Sequence, residues 1–243
     1  MIEKLLDRRS ERKYSDKPIE QEKIQKLFEV INNSPTSRNS QDFSVIVVED
    51  KELREKITQN KAGQKLTQQS HIIEAPLFLL FCADWNRMEH MAKLNDAKIV
   101  TDTHNNLITS AGDAFIAATF THAAALSMGL GCCYIGFVRH HMKEIQEHLN
   151  LDGKIIPIIG LTVGYIDTQL EKKPKVNHIY QGKYDLKQLK AEIEKYDTDM
   201  LAYYDSRSVN KKHNKWSETI LTAYAADDES INDYINEVFY NKK

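Results

Sequence analysis

The 243-residue chain is poor in cysteine, in long apolar runs and in charge of one sign, and each shortage removes a class of protein. Its cysteines are Cys82, Cys132 and Cys133. Their number is odd and their contexts are apolar, so buried free thiols are expected rather than a disulfide framework. No zinc-ligand spacing is present. No apolar run approaches the ~18 residues of a membrane span. The opening MIEKLLDRRS lacks the apolar core of a signal peptide, so a cytoplasmic protein is expected. A net charge of −2 argues against a general nucleic-acid binder, which would be basic overall. There is no internal repeat, no GxGxxG or P-loop and no Gly-x-Ser-x-Gly elbow. If the chain is an enzyme, these absences leave the chemistry to a bound cofactor. What is present is a 41% apolar fraction, enough for a substantial core.

Residues 101–138 organise the rest. Leu107, Ile108, Ala111, Ala114, Phe115, Ala118, Ala125 and Leu126 recur at the three-and-four spacing of one helix face. Asp102 suits an N-cap, and Gly129-Leu130-Gly131 suits the C-terminal end. A helix of about 28 residues at ~1.5 Å each would run ~42 Å. Its alanines permit close approach by another helix, either inside one subunit or across a dimer. The following CCYIGFV reads as a buried strand ending at Gly136, where glycine lets a flat ligand approach the backbone.

Taken in order, residues 2–9 predict a first helix, followed by RRSERKYSDKPI with Arg8, Arg9, Arg12 and Lys13 around Ser10. Such a cluster can hold phosphate or another planar anion, or be a solvated basic loop. Residues 20–31 predict an amphipathic helix. The loop SPTSRNSQ, residues 34–41, is rich in hydroxyls and amides that can bind a polar ligand, and is also an ordinary connection. Strands are predicted at 43–49, 77–83 and 155–166, and helices at 51–60, 64–70, 141–149, 185–204 and 217–243. Residues 84–100 read as a surface helix or a lid. Residues 207–215 form a basic segment.

These pieces, in order, resemble the nitroreductase family, in particular its NADPH-dependent nitroreductase and flavin reductase branch. RRSERKYSDKPI resembles the basic-Arg-Ser-x-Arg opening, SPTSRNSQ the hydroxyl-rich loop ending in glutamine, and AGQK the following glutamine site. GLGCCYIG resembles the Gly-Leu-Gly strand ending in Tyr-Ile-Gly, and IIPIIGLTVGY the strand with Pro and Gly-Leu. KKPK resembles a Lys-Pro-Arg motif, and YYDSR with NKW the Tyr-Tyr-x-x-Arg and Trp-Ser tail. The resemblance implies an α+β fold with a central mixed, mostly antiparallel sheet flanked by helices, and a long central helix at a homodimer interface. It implies a single nitroreductase-like domain over 1–243, with a C-terminal basic segment and helical extension at about 185–243.

The same resemblance implies an FMN cofactor. Arg8, Arg9 and Ser10 would bind its phosphate and ribityl chain, and Lys173 and Lys175 would close on that phosphate. Arg12 would sit at the pyrimidine edge. Thr36, Ser37 and Gln41 would contact flavin from the loop, and Gln64 would bond ring or ribityl oxygens. Tyr134, Ile135 and Gly136 would lie along the ring. NADPH or NADH would donate hydride in a ping-pong cycle to a nitroaromatic, a quinone, free flavin or another small acceptor. Arg207 would read the 2′-phosphate of NADPH, with Lys211 and Lys212 standing where further basic residues are expected. Lysine keeps their charge and loses bidentate geometry, so dual donor use is expected. No catalytic side chain, metal, nucleic acid or membrane is required. Arg38-Asn39-Ser40 and Phe137 depart from the family pattern and bear on acceptor choice. The competing readings are a flavin-binding redox sensor or storage protein with little turnover, and an interaction module built on residues 207–215.

Overall fold

The computed structural model describes residues 1–59, 63–64, 69–168, 171–207, 213–225 and 228–240. They form two compact units, one of residues 1–169 with 228–243 and one of residues 170–227.

The first unit contains α1 (Ile2–Asp7), α2 (Gln21–Asn32), β1 (Phe43–Val47), α3 (Lys51–Ile57), α4 (His71–Glu74), β2 (Leu77–Asp84), α5 (Asn86–Leu94), α6 (His104–Ser127), β3 (Gly131–Ile135), α7 (Met142–Leu149) and β4 (Ile155–Gly164). The second contains α8 (Leu186–Ser206) and α9 (Trp216–Ala223), and α10 (Glu229–Val238) returns to the first. The helical extension expected at 185–243 is therefore divided between the units. The helix expected over 64–70 falls mostly outside the described residues.

The sheet runs β1-β2-β4-β3, and all three pairings are antiparallel among the described residues, in keeping with the mostly antiparallel sheet expected. β2 and β4 are buried along their whole length, as their continuous apolar runs require. Successive side chains of β2 serve different cores. Leu77, Leu79, Phe81 and Ala83 join one core with Leu27 and Ile31 of α2 and Ala114, Ala117, Ala118 and Ala125 of α6. Phe78, Leu80 and Cys82 join the other with Leu53 and Ile57 of α3, Ile72 of α4 and Ile145 of α7. Pro157 sits in a central strand without an N–H to donate, and the register shifts beside it, between Phe81 and Cys82. At Gly160 a Cβ would lie 2.5 Å from the Phe78 ring, so the bare backbone is a packing requirement.

Arg54 is a structural cation, 7% exposed, whose Nε donates to the Val48 carbonyl and Nη1 to the Ala75 carbonyl, each at 2.8 Å. It ties α3 to the ends of β1 and α4. Cys82, Cys132 and Cys133 are buried free thiols, as their apolar contexts predicted.

Two details of α6 differ from expectation. Thr103, not Asp102, caps the helix, its Oγ1 accepting the Asn106 N–H at 3.1 Å. The apolar positions also divide between two faces. Ala114, Ala118 and Ala125 are buried, whereas Ile108, Phe115, Ile116 and Phe120 are exposed. Small residues face the sheet because α6 crosses it closely, and the bulky ones point outward.

In the second unit, Asp185 caps α8 by accepting the Lys187 and Gln188 N–H groups at 2.8 and 3.1 Å. Asp197 accepts the Ser217 N–H at 2.8 Å, and Tyr196 packs edge-on against Trp216, joining α8 to α9.

Candidate functional site

The basic stretch near the N-terminus is laid against β3 by main-chain pairing. The Glu11 N–H donates to the Cys132 carbonyl at 3.0 Å, and Tyr14 bridges to Ile166 beyond β4. The Tyr14 hydroxyl anchors this path, donating to the Glu11 carbonyl at 3.0 Å and lying 2.8 Å from the Thr162 hydroxyl. The strand expected to reach residue 166 ends at Gly164, and its continuation serves this bridge instead.

The result is a cluster of cations beside the C-terminal half of β3. Arg8 interacts electrostatically with His122, Cys133 and Tyr134. Arg12 interacts with Cys133 and with Glu11. Arg9 pairs with Asp7 at 3.4 Å. The arrangement brings Arg8 and Arg12 to Cys133 and Arg8 to Tyr134, with Arg9 and Ser10 in the same half-buried stretch. Tyr134 donates its hydroxyl to the Ala118 carbonyl at 3.3 Å and meets the His122 ring edge-on. Burial, helped by Arg8, pushes His122 down to about 4, so its imidazole is neutral at ordinary pH. Burial raises the Cys133 thiol and Tyr134 phenol, and the arginines offset only part of either shift.

Ile135 is buried and Gly136 half-buried at the start of the short 3₁₀ segment Gly136–His141. A Cβ on Gly136 would come within 3.2 Å of the Arg139 guanidinium, which is fixed by a 3.0 Å bond from Nη1 to the Ile158 carbonyl. Phe137 packs with the second core and against the His140 and His141 rings.

The 36–41 loop is a second cluster in the same unit. Thr36 Oγ1 accepts from both the backbone N–H and Nε2 of Gln41, at 3.2 and 3.3 Å. The Ser37 N–H donates to both carboxylate oxygens of Asp113, at 2.9 and 3.2 Å. Thr36 and Gln41 are thus tied to each other, and Ser37 is tied to α6 through Asp113. The loop borders a cavity of about 710 Å³, which is also lined by Trp85 and by Arg87, Met88 and Met91 of α5. Residues 84–100, read as a surface helix or lid, therefore include a wall of this cavity. Arg87 fastens the loop by donating to the Gln41 and Phe43 carbonyls at 3.1 and 2.8 Å.

Gln64 is exposed. In the second unit Lys173 and Lys175 are exposed, and Arg207 closes α8. Its Nε is 3.8 Å from Glu171, and its guanidinium stands over the Tyr203 ring at 5.7 Å. Lys211 and Lys212 lie outside the described residues.

Pattern reading missed Glu11, Asp42, Arg87, Asp113 and His122. Asp113 did carry a signal, a carboxylate among the alanines of an apolar helix, and it is 3% exposed. Glu11 is 4% exposed inside the arginine cluster, its carboxyl raised by burial against the opposing pull of Arg9 and Arg12. Among the described residues no group of His, Cys, Asp and Glu is placed to hold a metal ion, and no helix is long and apolar enough to cross a membrane.

Comparison with known proteins fits this arrangement. The model of the nitroreductase family matches residues 5–165, and that of the nitroreductase family C-terminal domain matches residues 173–243. The chain is 37% identical over 232 residues to the FMN reductase [NAD(P)H] of Bacillus subtilis, spanning 92% of this chain and 90% of that one. It superposes on B. megaterium NfrA2 with a TM-score of 0.84 at 34% identity, covering 93% and 91% of the two chains. For the NADPH:FMN oxidoreductase of Vibrio harveyi complexed with NAD+ the TM-score is 0.82 at 29% identity, covering 97% and 96%. With two family models accounting for nearly its whole length in order, the chain belongs to the nitroreductase family.

Proposed function

We propose that the protein is an FMN-dependent oxidoreductase that carries hydride equivalents from NADPH or NADH to a small acceptor such as a nitroaromatic, a quinone or free flavin. The observation that carries this reading is the seating of Arg8 and Arg12 against β3 beside Tyr134 by the Glu11–Cys132 hydrogen bond.

The donor set suits FMN. A phosphate dianion is held by charge-assisted bonds from guanidinium groups, which Arg8 and Arg9 would supply with the Ser10 hydroxyl, while a part for Lys173 and Lys175 rests on the family resemblance alone. Tyr134, Ile135 and Gly136 offer an apolar face with a bare backbone position. Thr36, Ser37, Gln41 and Gln64 supply hydroxyl and amide partners for ring and ribityl oxygens. When bound, FMN supplies two-electron chemistry that separates oxidation of the nicotinamide from reduction of the acceptor.

The chain's own residues set the conditions for that chemistry. Arg12 would hold the pyrimidine edge of FMN, where its positive charge would favour the reduced form over the oxidised one. His122 stays neutral, so it adds no competing cation beneath Tyr134. Arg207, held by Glu171 and Tyr203, and the lysines at 211 and 212 read the 2′-phosphate of NADPH. No general base is required, because the acceptor takes its proton from solvent.

The same reading includes a homodimer and one functional domain over 1–243. The exposed Phe115, Ile116 and Phe120 on α6 support an interface, since contiguous apolar side chains on a helix of this length call for a covering surface.

An absorption spectrum of the purified protein, followed by anaerobic titration with NADPH and then NADH, tests the proposal. Flavin bands that bleach on titration are expected. A colourless protein that takes up no added FMN would overturn it.

A further inference from the structure

The 36–41 loop is held in an unfavourable shape. Arg38, Asn39 and Gln41 have φ of 56°, 55° and 55°, the left-handed region that side chains with a Cβ seldom occupy. Such a conformation persists only where surrounding contacts over-determine it. Two of those contacts are the Asp113 carboxylate on the Ser37 N–H and the Arg87 guanidinium on the Gln41 carbonyl. The third is a buried carboxyl group with no role so far.

Asp42 follows the loop directly and is 1% exposed. Its main chain is pinned: the carbonyl accepts the Ser110 hydroxyl at 2.7 Å and the Asp84 N–H at 2.9 Å. Ser110 stands one turn before Asp113 on α6, so its bond sets Asp42 beside Asp113, whose carboxyl acts on that of Asp42. Among the described residues Asp42 Oδ1 has no donor to it, a condition that an ionised carboxylate tolerates poorly when buried. The charged groups around the pair are Asp84 and Arg87, and these are engaged with each other at 3.4 Å. Arg38 is exposed in the loop itself. Two buried carboxyls at this range cannot both be ionised cheaply, and one proton between them converts repulsion into a short hydrogen bond.

We propose that Asp42 and Asp113 share a single proton and together latch the 36–41 loop, which makes both of them positioning residues for the site. Both oxygens of Asp113 accept the Ser37 N–H, which places it as the acceptor of the pair. Asp42 carries the proton and donates it toward Asp113. The latch holds Thr36, Ser37 and Gln41 in the arrangement that faces a ligand, and this consequence rests on the flavin reading above. Burial and the Asp113 charge hold Asp42 up to about 6, against an ordinary value of 3.8. For a raised acid the sign is fixed: the latch is complete below about pH 4 and is lost as pH rises through about 6. Above that pH the two charges repel, and the loop is released from Asp113.

The test compares the full-length wild type with D42N and D113N. The amide introduced by D42N donates to Asp113 as the shared proton does and cannot ionise. FMN dissociation constants are measured by flavin fluorescence from pH 5.5 to 7.5. The FMN phosphate itself titrates near pH 6, so the readout is the ratio of the wild-type constant to that of D42N. The ratio is expected to rise about tenfold over that range, as loss of one proton over more than a unit of pH requires. D113N, which gives up the carboxylate clamp on Ser37, is expected to bind FMN about tenfold more weakly throughout. A ratio that does not change with pH would overturn the proposal. Melting temperatures of the flavin-free wild type and D42N over the same range separate this outcome from a failure of the flavin reading. Wild type is expected to lose stability relative to D42N as pH rises, whether or not FMN binds, and parallel curves would overturn the latch on their own.

Discussion

His122 of α6 packs edge-on against Tyr134 of β3, with ring centroids 5.1 Å apart and the planes at 86°. Burial and the Arg8 charge hold this imidazole at about 4, well under its ordinary value of 6.5. A histidine shifted downward contributes stability that is fully present above the unfolded value and is lost as pH falls through the folded one. The wild type is therefore expected to lose stability between about pH 6.5 and 4, and His122→Phe to lose less over the same window. Denaturant midpoints at pH 7 and pH 5 check this. An unchanged difference between the two proteins would show that His122 is not held neutral.

Arg12 is exposed, yet its charge reaches the Cys133 thiol on β3. Replacing it with alanine removes one charge-assisted hydrogen bond, worth roughly 1.5–3 kcal/mol. Arg12→Ala is expected to weaken FMN binding by about 10–100-fold, or to lower the flavin midpoint potential by some tens of millivolts, at about 30 mV per 1.4 kcal/mol for a two-electron couple. Equilibrium dialysis and a dye-linked redox titration measure both quantities. If neither moves, Arg12 has no place in the site.

Arg54 makes a prediction about stability alone. Arg54→Met keeps much of the volume but leaves the Val48 and Ala75 carbonyls without their donors. Each buried group left unpaired costs about 1–3 kcal/mol, so a loss of roughly 2–6 kcal/mol is expected. Arg54→Lys restores charge but not the fork, and should recover only part of that loss. Chemical denaturation of the two variants gives the comparison, and a Met variant as stable as wild type would contradict the assigned role.

How much of this was legible in the sequence depended on whether a feature is local. The helix at α6 follows from spacing, and β2 and β4 follow from continuous apolar runs bounded by breakers. Which face of α6 meets the sheet did not follow, because Ala114 and Phe115 are both apolar and only packing distinguishes them. The cap fell on Thr103 rather than Asp102, since either side chain can serve and tertiary context chooses. The basic stretch was visible as a cluster, but its docking rests on long-range main-chain pairing, of Glu11 with Cys132 across 121 residues of sequence and of Tyr14 with Ile166. The carboxyl pair is the clearest case. Asp42 reads as the polar end of a loop and Asp113 as a blemish in a helix, and only the fold makes them neighbours.

Arg207 offers a test of donor choice. Its guanidinium is oriented from two sides, by Glu171 at 3.8 Å and by the Tyr203 ring at 5.7 Å, so it is held at the end of α8 with part of its ordering cost already met by the fold. A phosphate on the nicotinamide donor would compete with Glu171 for this group, and a dianion wins over a single carboxylate when both are partly solvated. Arg207→Ala is then expected to raise KM for NADPH by roughly 10–100-fold, the value of one charge-assisted contact, and to leave KM for NADH within about twofold. Glu171→Gln is expected to act in the opposite direction by freeing the guanidinium, lowering KM for NADPH. Steady-state oxidation of each nicotinamide with one quinone acceptor supplies all the constants. Equal effects of Arg207→Ala on the two donors would mean that this arginine does not read the 2′-phosphate, and the discrimination would then fall to the lysines at 211 and 212.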